Sequence, residues 1–444
     1  MRCLTQSAVT QPVVQCQQRQ GIQELTLNRS SKMNAMNLNL IQTLSDELWV
    51  GENLGNVGLF LVRAQPGSAF SAGGDIQEMR GLIVPKDYDS ASQWFRQAYQ
   101  LLHQIATLST PYIAVLNGPA LGGGFSLGGY GTFCVATDST VFFMPEANFG
   151  YIPDAGSSFY LSRLDGQLGV YLGLTGKSLM GMDLVYAGLA SHYIPSAALP
   201  DMEKGLRKMI SPSHAVINQL LDKCSSTHMS DEDVPEFSLG GEIRQAIDRC
   251  FQYDDVRMIM VTLKNETMDT SQSDRVRAWA QETLTALESR PPASLIVTLH
   301  QLRHSRNRSL VRCFEKEYHF CQKFMQQHDM REGLKLKTDP SSRKQQPKWS
   351  PANVFHLDPA YMVSYFHPPS PRELRMLNSK DMMQHPFRHY KLPSEQEILK
   401  VAETMTVPEN IVDYFKSLQP RKVGVSKKVR DVLSRKSSLS SVCQ

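Results

Sequence analysis

The chain has 444 residues, of which 41% are hydrophobic and 20% are charged, and its formal net charge is +4. This composition is typical of a globular protein with a large core, and the length predicts two or three structural units. No apolar run approaches the roughly 18 residues that a membrane-spanning helix needs, so we expect no membrane partner. Eight cysteines without a CxxC pair disfavour a disulfide framework or a cysteine zinc site and indicate a reducing compartment.

The N-terminus has a composition compatible with import into mitochondria. Residues 1–23 contain Arg2 and Arg19, no acidic residue and many Ser, Thr and Gln, a bias found in short presequences. Core-like sequence begins near Val13, so only residues 1–12 are assigned to an N-terminal tail. We therefore predict a mitochondrial location.

Residues 13–200 alternate buried strands with amphipathic helices. Continuous apolar runs at residues 57–62 and 112–116 are typical of strands covered on both faces, and each leads through a glycine-rich turn into a helical segment. Helical patterns dominate residues 201–366. The sequence thus predicts an α/β core over residues 13–200 and a helical region over residues 201–366.

A different composition begins near Pro368 and Pro369. Residues 367–444 are rich in Pro, Ser, Lys and Arg and hold 14 basic against 8 acidic residues, so residues 1–366 carry a net charge of −2. A basic extension of this kind is attracted to acidic partners such as RNA phosphate. The plainer alternative is a solvated, disordered extension.

Two glycine turns stand between a strand and a helix. The first is Phe-Ser-Ala-Gly-Gly-Asp at residues 70–75, and the second is Asn-Gly-Pro-Ala-Leu-Gly-Gly-Gly at residues 117–124. Glycine lets the backbone approach a ligand, and the start of a helix offers unpaired N–H groups. Either turn alone is more often a matter of tight packing. Together they predict an oxyanion hole, in which two donors stabilise charge on a carbonyl oxygen.

A third segment, residues 143–156, carries two carboxylates among Met, Phe, Tyr and Ile. Glu146 and Asp154 lie eight residues apart around Gly150. Apolar surroundings raise the pKa of a carboxyl group, so such a pair can exchange protons near neutral pH. Each residue taken alone fits a helix cap or a salt bridge equally well.

The order of these segments, with Met-Pro-Glu at residues 144–146, resembles the enoyl-CoA hydratase/isomerase, or crotonase, superfamily. The resemblance covers about residues 13–196. It implies a crotonase-type spiral of ββα units, in which the amides of Gly74 and Gly123 hold the carbonyl oxygen of a coenzyme A thioester.

Within this superfamily the chain is most similar to the 3-hydroxyisobutyryl-CoA hydrolases. Hydratases have a second catalytic glutamate where this chain has Ser126, whereas Asp154 stands where the hydrolases have an aspartate. The similarity continues to about residue 360 and implies that Glu146 and Asp154 are the paired catalytic carboxylates. Four further segments carry it: residues 292–299, 317–318, 328–333 and 347–351.

The chain also departs from the hydrolase pattern. The hydrolases usually carry a glutamate, thought to help hold the substrate, where this chain has Ala98. They tend to continue a glycine run where Gly156 is followed here by Ser157 and Ser158. The first change removes a polar contact to the substrate, and we expect the second to crowd the pocket.

The resemblance implies hydrolysis of a short 3-hydroxyacyl-CoA thioester, classically the 3-hydroxyisobutyryl-CoA of valine breakdown. Coenzyme A is then part of the substrate, and no other cofactor and no metal is expected. The alternative is a structural subunit of the mitochondrial ribosome small subunit, a role that hydrolase-like proteins have in some organisms. Residues 367–444 would then bind ribosomal RNA or ribosomal proteins.

Three further patterns are weak. Thr-Gly-Lys-Ser at residues 175–178 lacks the first glycine of a phosphate loop, since position 171 is tyrosine. His300 and His304 have helical spacing but no evident third metal ligand, so we interpret them as surface histidines. His385 and His389 share that spacing, but a proline between them disfavours a helix.

Overall fold

The computed structural model of the protein describes residues 11–209, 212–342 and 345–440, with backbone alone at residues 359 and 436–440. Most of the predicted N-terminal tail, residues 1–10, therefore lies outside the described residues. Within these ranges, no helix is both long and apolar enough to cross a membrane.

Residues 14–206 form the α/β core, which extends slightly beyond the predicted boundary at residue 200. Its elements are β1 (Val14–Arg19), β2 (Ile22–Leu27), α1 (Leu38–Leu54), β3 (Leu59–Ala64), α2 (Ile76–Ile83), α3 (Tyr88–Ala106), β4 (Tyr112–Leu116), β5 (Pro119–Leu121), α4 (Gly123–Gly129), β6 (Phe133–Ala136), β7 (Val141–Phe143), α5 (Ser157–Leu161), α6 (Leu168–Thr175), β8 (Leu179–Met180), α7 (Asp183–Tyr186), β9 (His192–Tyr193) and α8 (Leu199–Leu206). The apolar runs predicted as strands correspond to β3 and β4, which confirms the fold class.

The nine strands of the described residues form two sheets. The larger has the order β1-β2-β3-β4-β6-β9, with β1 antiparallel to β2 and the other pairs parallel. The smaller has the order β5-β7-β8. Because β3 and β4 are parallel neighbours, their carboxyl ends lie at one edge of the sheet. The two glycine turns that follow these strands are therefore brought to the same edge.

The helical region follows the core as predicted. Its elements are α9 (His214–His228), α10 (Gly241–Cys250), α11 (Val256–Met268), α12 (Asp274–Glu288), α13 (Pro292–Ser305), α14 (Leu310–Phe324), α15 (His328–Thr338) and α16 (Pro359–Phe366). Helix α13 packs on α5 and α6, α14 packs on α3 and α5, and α15 packs on α2. These helices thus cover the segments that follow the glycine turns and the carboxylates.

The C-terminal segment, residues 367–440, is folded onto the rest of the protein. It contains α17 (Glu395–Ala402), α18 (Pro408–Leu418) and α19 (Val425–Ser440), and α19 contacts α10. The side chains of Val425 and Val429 are fully buried. This packing contradicts the alternative of a solvated, disordered extension.

Candidate active site

The two glycine turns meet in a tight contact. The Ser71 N–H donates to the carbonyl of Pro119 at 3.1 Å, and the Ser71 carbonyl accepts from the N–H of Leu121 at 2.9 Å. A methyl group on Gly73 would lie 3.5 Å from the backbone nitrogen of Gly123, and Gly73 has a φ of +85°. Close approach and positive φ together favour glycine at this position.

The amides of Gly74 and Gly123 are the candidate oxyanion donors. Gly74 forms an isolated β-bridge with Met36. The two hydrogen bonds of this bridge are made by the residues on either side of Gly74: Met36 N–H donates to the Gly73 carbonyl, and Asp75 N–H donates to the Met36 carbonyl. Gly123 begins α4, where the first amides have no acceptor within the helix. Among the backbone bonds of the described residues, none uses either N–H group, so both are available to a carbonyl oxygen.

Glu146 lies against the second glycine turn. The residue begins a 3-10 turn, Glu146–Phe149, and is only 5% exposed. A methyl group on Gly122 would collide with Oε1 of Glu146, so glycine at this position makes room for the carboxylate. Within the described part of the chain, Oε2 of Glu146 has no hydrogen-bond partner. Burial, and next the charge of Asp154, raise the pKa of Glu146 well above its usual range.

Asp154 is held by two buried phenols. Its Oδ2 accepts hydrogen bonds from Tyr99 Oη at 2.7 Å and from Tyr151 Oη at 3.0 Å. Burial raises the pKa of Asp154 to about 6, although both phenol donors favour the ionised form. The next residue, Ala155, places its Cβ 3.1 Å from where a methyl group on Gly123 would lie. Asp154 therefore stands beside the same turn as Glu146.

A third buried carboxylate, Glu317 of α14, fixes the chain after Asp154. It accepts from the N–H of Gly156 at 2.6 Å, from the N–H of Ser158 at 2.9 Å and from Oγ of Ser158 at 2.5 Å. Burial raises the pKa of Glu317 to about 8; the Ser158 hydroxyl opposes this shift and the charge of Asp154 adds to it. Ser158 is therefore bonded to the protein rather than placed to bind substrate.

The other departures from the hydrolase pattern are buried as well. Ala98 of α3 is 3% exposed and Ser157 is fully buried. The Oγ of Ser157 has no partner among the described residues. Ser126, where hydratases have their second glutamate, is fully buried and its Oγ lies 3.5 Å from Oη of Tyr160. Helix α4 therefore supplies no carboxylate here.

The site is enclosed by the protein's own side chains. Asp154 is 8% exposed, and a methyl group on Gly74 would lie 2.8 Å from Cη2 of Trp94. The indole nitrogen of Trp94 donates to Glu78 at 2.8 Å, which holds the ring in place. Both carboxylates are therefore shielded from solvent.

The structure brings together the four residues that the sequence singled out, and it adds three that the sequence did not. Tyr99, Tyr151 and Glu317 have no motif of their own. The only signal was the family-like pair at residues 317–318, to which no role was given.

The weaker patterns take structural roles. Residues 175–178 follow helix α6 instead of preceding one, so they do not form a phosphate loop, and Lys177 pairs with Glu282 at 2.8 Å. His385 Nε2 lies 3.2 Å from the Tyr130 carbonyl. Within the described ranges, no three His, Cys, Asp or Glu side chains are grouped so that they could hold a metal ion.

The fold and the paired turns define a protein of the crotonase class. A crystal structure of a carnitinyl-CoA dehydratase from Mycobacterium thermoresistibile matches with a TM-score of 0.72 and 27% identity, over 83% of this chain and all of that one. The sequence profile of the family described as Enoyl-CoA hydratase/isomerase matches residues 22–366. The chain belongs to this family.

Two relatives are similar over most of their length. The small ribosomal subunit protein mS47 of Neurospora crassa is 34% identical over 94% of this chain and 84% of that protein. The mitochondrial 3-hydroxyisobutyryl-CoA hydrolase of Xenopus laevis is 34% identical over 79% of this chain and 88% of that protein. The resemblance to this group of hydrolases is thereby confirmed.

The length of the match to mS47 shows that it includes part of the C-terminal segment, whereas the length of the hydrolase match does not require this. Since 94% of 444 residues is more than 366, the match to mS47 must extend into the C-terminal segment. The family profile ends at residue 366, and the hydrolase match is short enough to fit before that point.

Proposed function

We propose that the chain hydrolyses a short 3-hydroxyacyl-CoA thioester, with 3-hydroxyisobutyryl-CoA as its leading substrate. The observation that supports this most is the convergence of two unpaired amides, Gly74 and Gly123, with two buried carboxylates, Glu146 and Asp154. Coenzyme A enters as part of the substrate. Oxyanion stabilisation and acid–base groups suffice for the reaction, so the proposal includes no further cofactor and no metal.

In this mechanism the amides of Gly74 and Gly123 donate to the thioester oxygen and stabilise its negative charge. Ionised Glu146 either attacks the carbonyl carbon, giving an acyl-enzyme that water then cleaves, or removes a proton from the attacking water. Asp154 accepts a hydrogen bond from the 3-hydroxyl of the substrate and assists proton transfer. The C–S bond breaks and the sulfur takes a proton. One water is consumed, and a 3-hydroxy acid and coenzyme A are released.

The test is release of free coenzyme A from 3-hydroxyisobutyryl-CoA by the full-length protein. Glu146→Gln should lower the rate by about 10²–10⁴-fold, because the amide can neither attack nor accept a proton. Asp274→Asn is the matched control, since the Asp274 side chain is 94% exposed and far along the chain from the site. A wild-type protein that is inert on short acyl-CoAs would overturn the proposal.

A second function is favoured by one observation: the match to mS47 includes the C-terminal segment that the family profile leaves out. We propose that the chain is also a component of the mitochondrial ribosome small subunit and contacts RNA or ribosomal proteins through this segment. The mitochondrial location predicted from the N-terminus is confirmed by relatives that are named as mitochondrial proteins.

The basic charge of the C-terminal segment is only partly free for such a partner. Lys422 pairs with Asp222 at 3.0 Å and Lys428 pairs with Asp165 at 2.7 Å, so these lysines serve the fold. Other basic residues of the segment are exposed and form no ion pair with a described residue. They are Lys380, whose Nζ donates to the Thr107 carbonyl at 2.8 Å, and four residues whose side chains form no hydrogen bond with a described residue: Arg375, Lys400, Lys416 and Arg421.

Sedimentation of the native protein tests this second function. We expect co-migration with small ribosomal particles, reduced when the four exposed basic residues without a side-chain hydrogen bond are changed to glutamine. Substitution is preferable to removal of the segment, because buried Val425 and Val429 tie α19 to the fold. The control changes four exposed lysines outside the segment to glutamine: Lys86, Lys223, Lys264 and Lys335. Migration of the wild type as a small free protein would contradict the proposal.

A further inference from the structure

A cavity of about 460 Å³ lies between α13, α14 and α16, outside the candidate active site. Its volume is within the range of small-molecule sites. No acidic side chain is among the described residues that line it. We name it the cationic pocket, and six of its lining residues carry the argument: His300, Gln301, His304, Arg308, Lys316 and Phe366.

The positive groups of the cationic pocket are not neutralised. Neither Arg308 nor Lys316 forms an ion pair with any residue that the structure describes, whereas Arg312, on the same helix as Lys316, pairs with Glu315 at 2.6 Å. Lys316 Nζ lies 5.8 Å from the ring centre of Phe366. Burial and the neighbouring charge of Arg308 lower the pKa of Lys316.

The histidine pair belongs to the same electropositive surface. The rings of His300 and His304 stack with centroids 3.9 Å apart. Burial, and then the charges of His304, Lys316 and Arg308, lower the pKa of His300 to about 4. A site that disfavours one more positive charge in this way favours an anion.

Two buried polar atoms at the pocket lack partners among the described residues. Gln301 is 1% exposed; its Nε2 donates to the Pro153 carbonyl at 2.8 Å, but its Oε1 accepts nothing. Nδ1 of His300 is likewise buried and unpartnered. Buried polar atoms are ordinarily hydrogen-bonded, so these two indicate a missing ligand.

We propose that the cationic pocket binds a phosphate monoester. Arg308 and Lys316 would form charge-assisted hydrogen bonds with its oxygens, because guanidinium and ammonium groups are the usual phosphate partners. Gln301 Oε1 would accept from a hydroxyl of the ligand, and Phe366 offers an apolar wall to the group that carries the phosphate. This site is independent of thioester hydrolysis. The phosphate could come from a free nucleotide or from the 5′ end of an RNA.

Calorimetry on the full-length protein tests the site with inorganic phosphate, adenosine monophosphate and a short unstructured RNA with or without a 5′ phosphate. We expect binding that weakens with salt and that falls at least about 10-fold in Arg308→Gln and in Lys316→Gln. Arg312→Gln is the matched control, because Arg312 is exposed, lies on α14 and does not line the pocket.

The set of ligands separates the sources. Binding of the mononucleotide identifies a free nucleotide as sufficient, whereas binding of only the 5′-phosphorylated RNA identifies RNA. No binding of any probe at 10 mM phosphate or nucleotide and at 0.1 mM RNA would overturn the proposal. An equal loss of affinity in Arg312→Gln would also overturn it, since the binding would then be diffuse surface attraction.

Discussion

The candidate active site and the C-terminal segment differ in whether their buried ionisable side chains form ion pairs. At the site, Glu146 and Asp154 are both buried, neither forms an ion pair with a described residue, and their pKa values are raised. In the C-terminal segment, Lys428 is almost fully buried but lies 2.7 Å from Asp165. Paired buried charges serve packing, whereas unpaired ones cost stability and are found where proton transfer is needed.

The largest expected effect is on activity and concerns Asp154, one of the two buried carboxylates without an ion pair. Asp154→Asn keeps the shape of the side chain but removes its charge, so we expect kcat/KM for 3-hydroxyisobutyryl-CoA to fall by about 10²–10⁴-fold. Asp254→Asn, at a side chain that is 84% exposed, should leave the rate unchanged. Retention of more than a tenth of the activity in Asp154→Asn would remove this residue from the mechanism.

Two adjacent lysines, Lys427 and Lys428, test whether burial makes an ion pair important for stability. Lys428→Met leaves Asp165 without its cation in a buried setting, and we expect the free energy of unfolding to fall by about 3–5 kcal/mol. Lys427→Met breaks a pair with Glu236, whose side chain is 78% exposed, and should cost about 1 kcal/mol or less. Urea unfolding of both variants measures the contrast. Equal losses would show that burial of the pair is not what matters.

Replacing Glu146 should increase stability while it removes activity. The pKa of Glu146 is higher in the folded protein than in the unfolded chain, so as pH rises the unfolded chain loses this proton first. Ionisation of Glu146 therefore favours the unfolded chain, and stability that is present below about pH 4.5 is lost at higher pH. The glutamine side chain of the Glu146→Gln variant does not ionise, so this variant does not lose stability in that way. We therefore expect its free energy of unfolding at pH 8 to exceed that of the wild type. At pH 4 the difference should shrink, and a constant difference would contradict the assigned cause.

The smallest effect concerns one phenol. Tyr151→Phe removes one of the two hydrogen bonds that favour ionised Asp154, so the pKa of Asp154 should rise from about 6. The acidic limb of the kcat/KM profile should then move to higher pH by about one unit or less. Tyr99→Phe should move it in the same direction. A shift to lower pH in either variant would show that the phenols do not stabilise the carboxylate.

Much of the fold could be predicted from the sequence, because local patterns determine it, and the four candidate site residues were chosen from the same local patterns. Apolar runs predicted β3 and β4, and the glycine turns that follow these strands are in contact through the bridge between Ser71 and Ala120. Glu146 and Asp154 belong to one short segment, so their nearness needed no long-range packing.

The groups that tune the site could not be predicted in this way. Tyr99 is 55 residues from Asp154, and Glu317 is 161 residues from Gly156. Each bond joins a helix, α3 or α14, to a segment far away in the sequence, and nothing in the local pattern marks a buried Tyr or Glu as a bonding partner. Likewise, the charge count predicted a basic C-terminal segment but not that Lys428 would face Asp165.

The contacts made by Asp165 have a consequence for cooperative unfolding. Its two oxygens accept the N–H of Glu395 at 3.1 Å and Nζ of Lys428 at 2.7 Å, and both donors lie in the C-terminal segment. Because Asp165 shortly precedes α6 of the core, these two bonds join the core to the C-terminal segment. We therefore expect the two parts of the protein to unfold together.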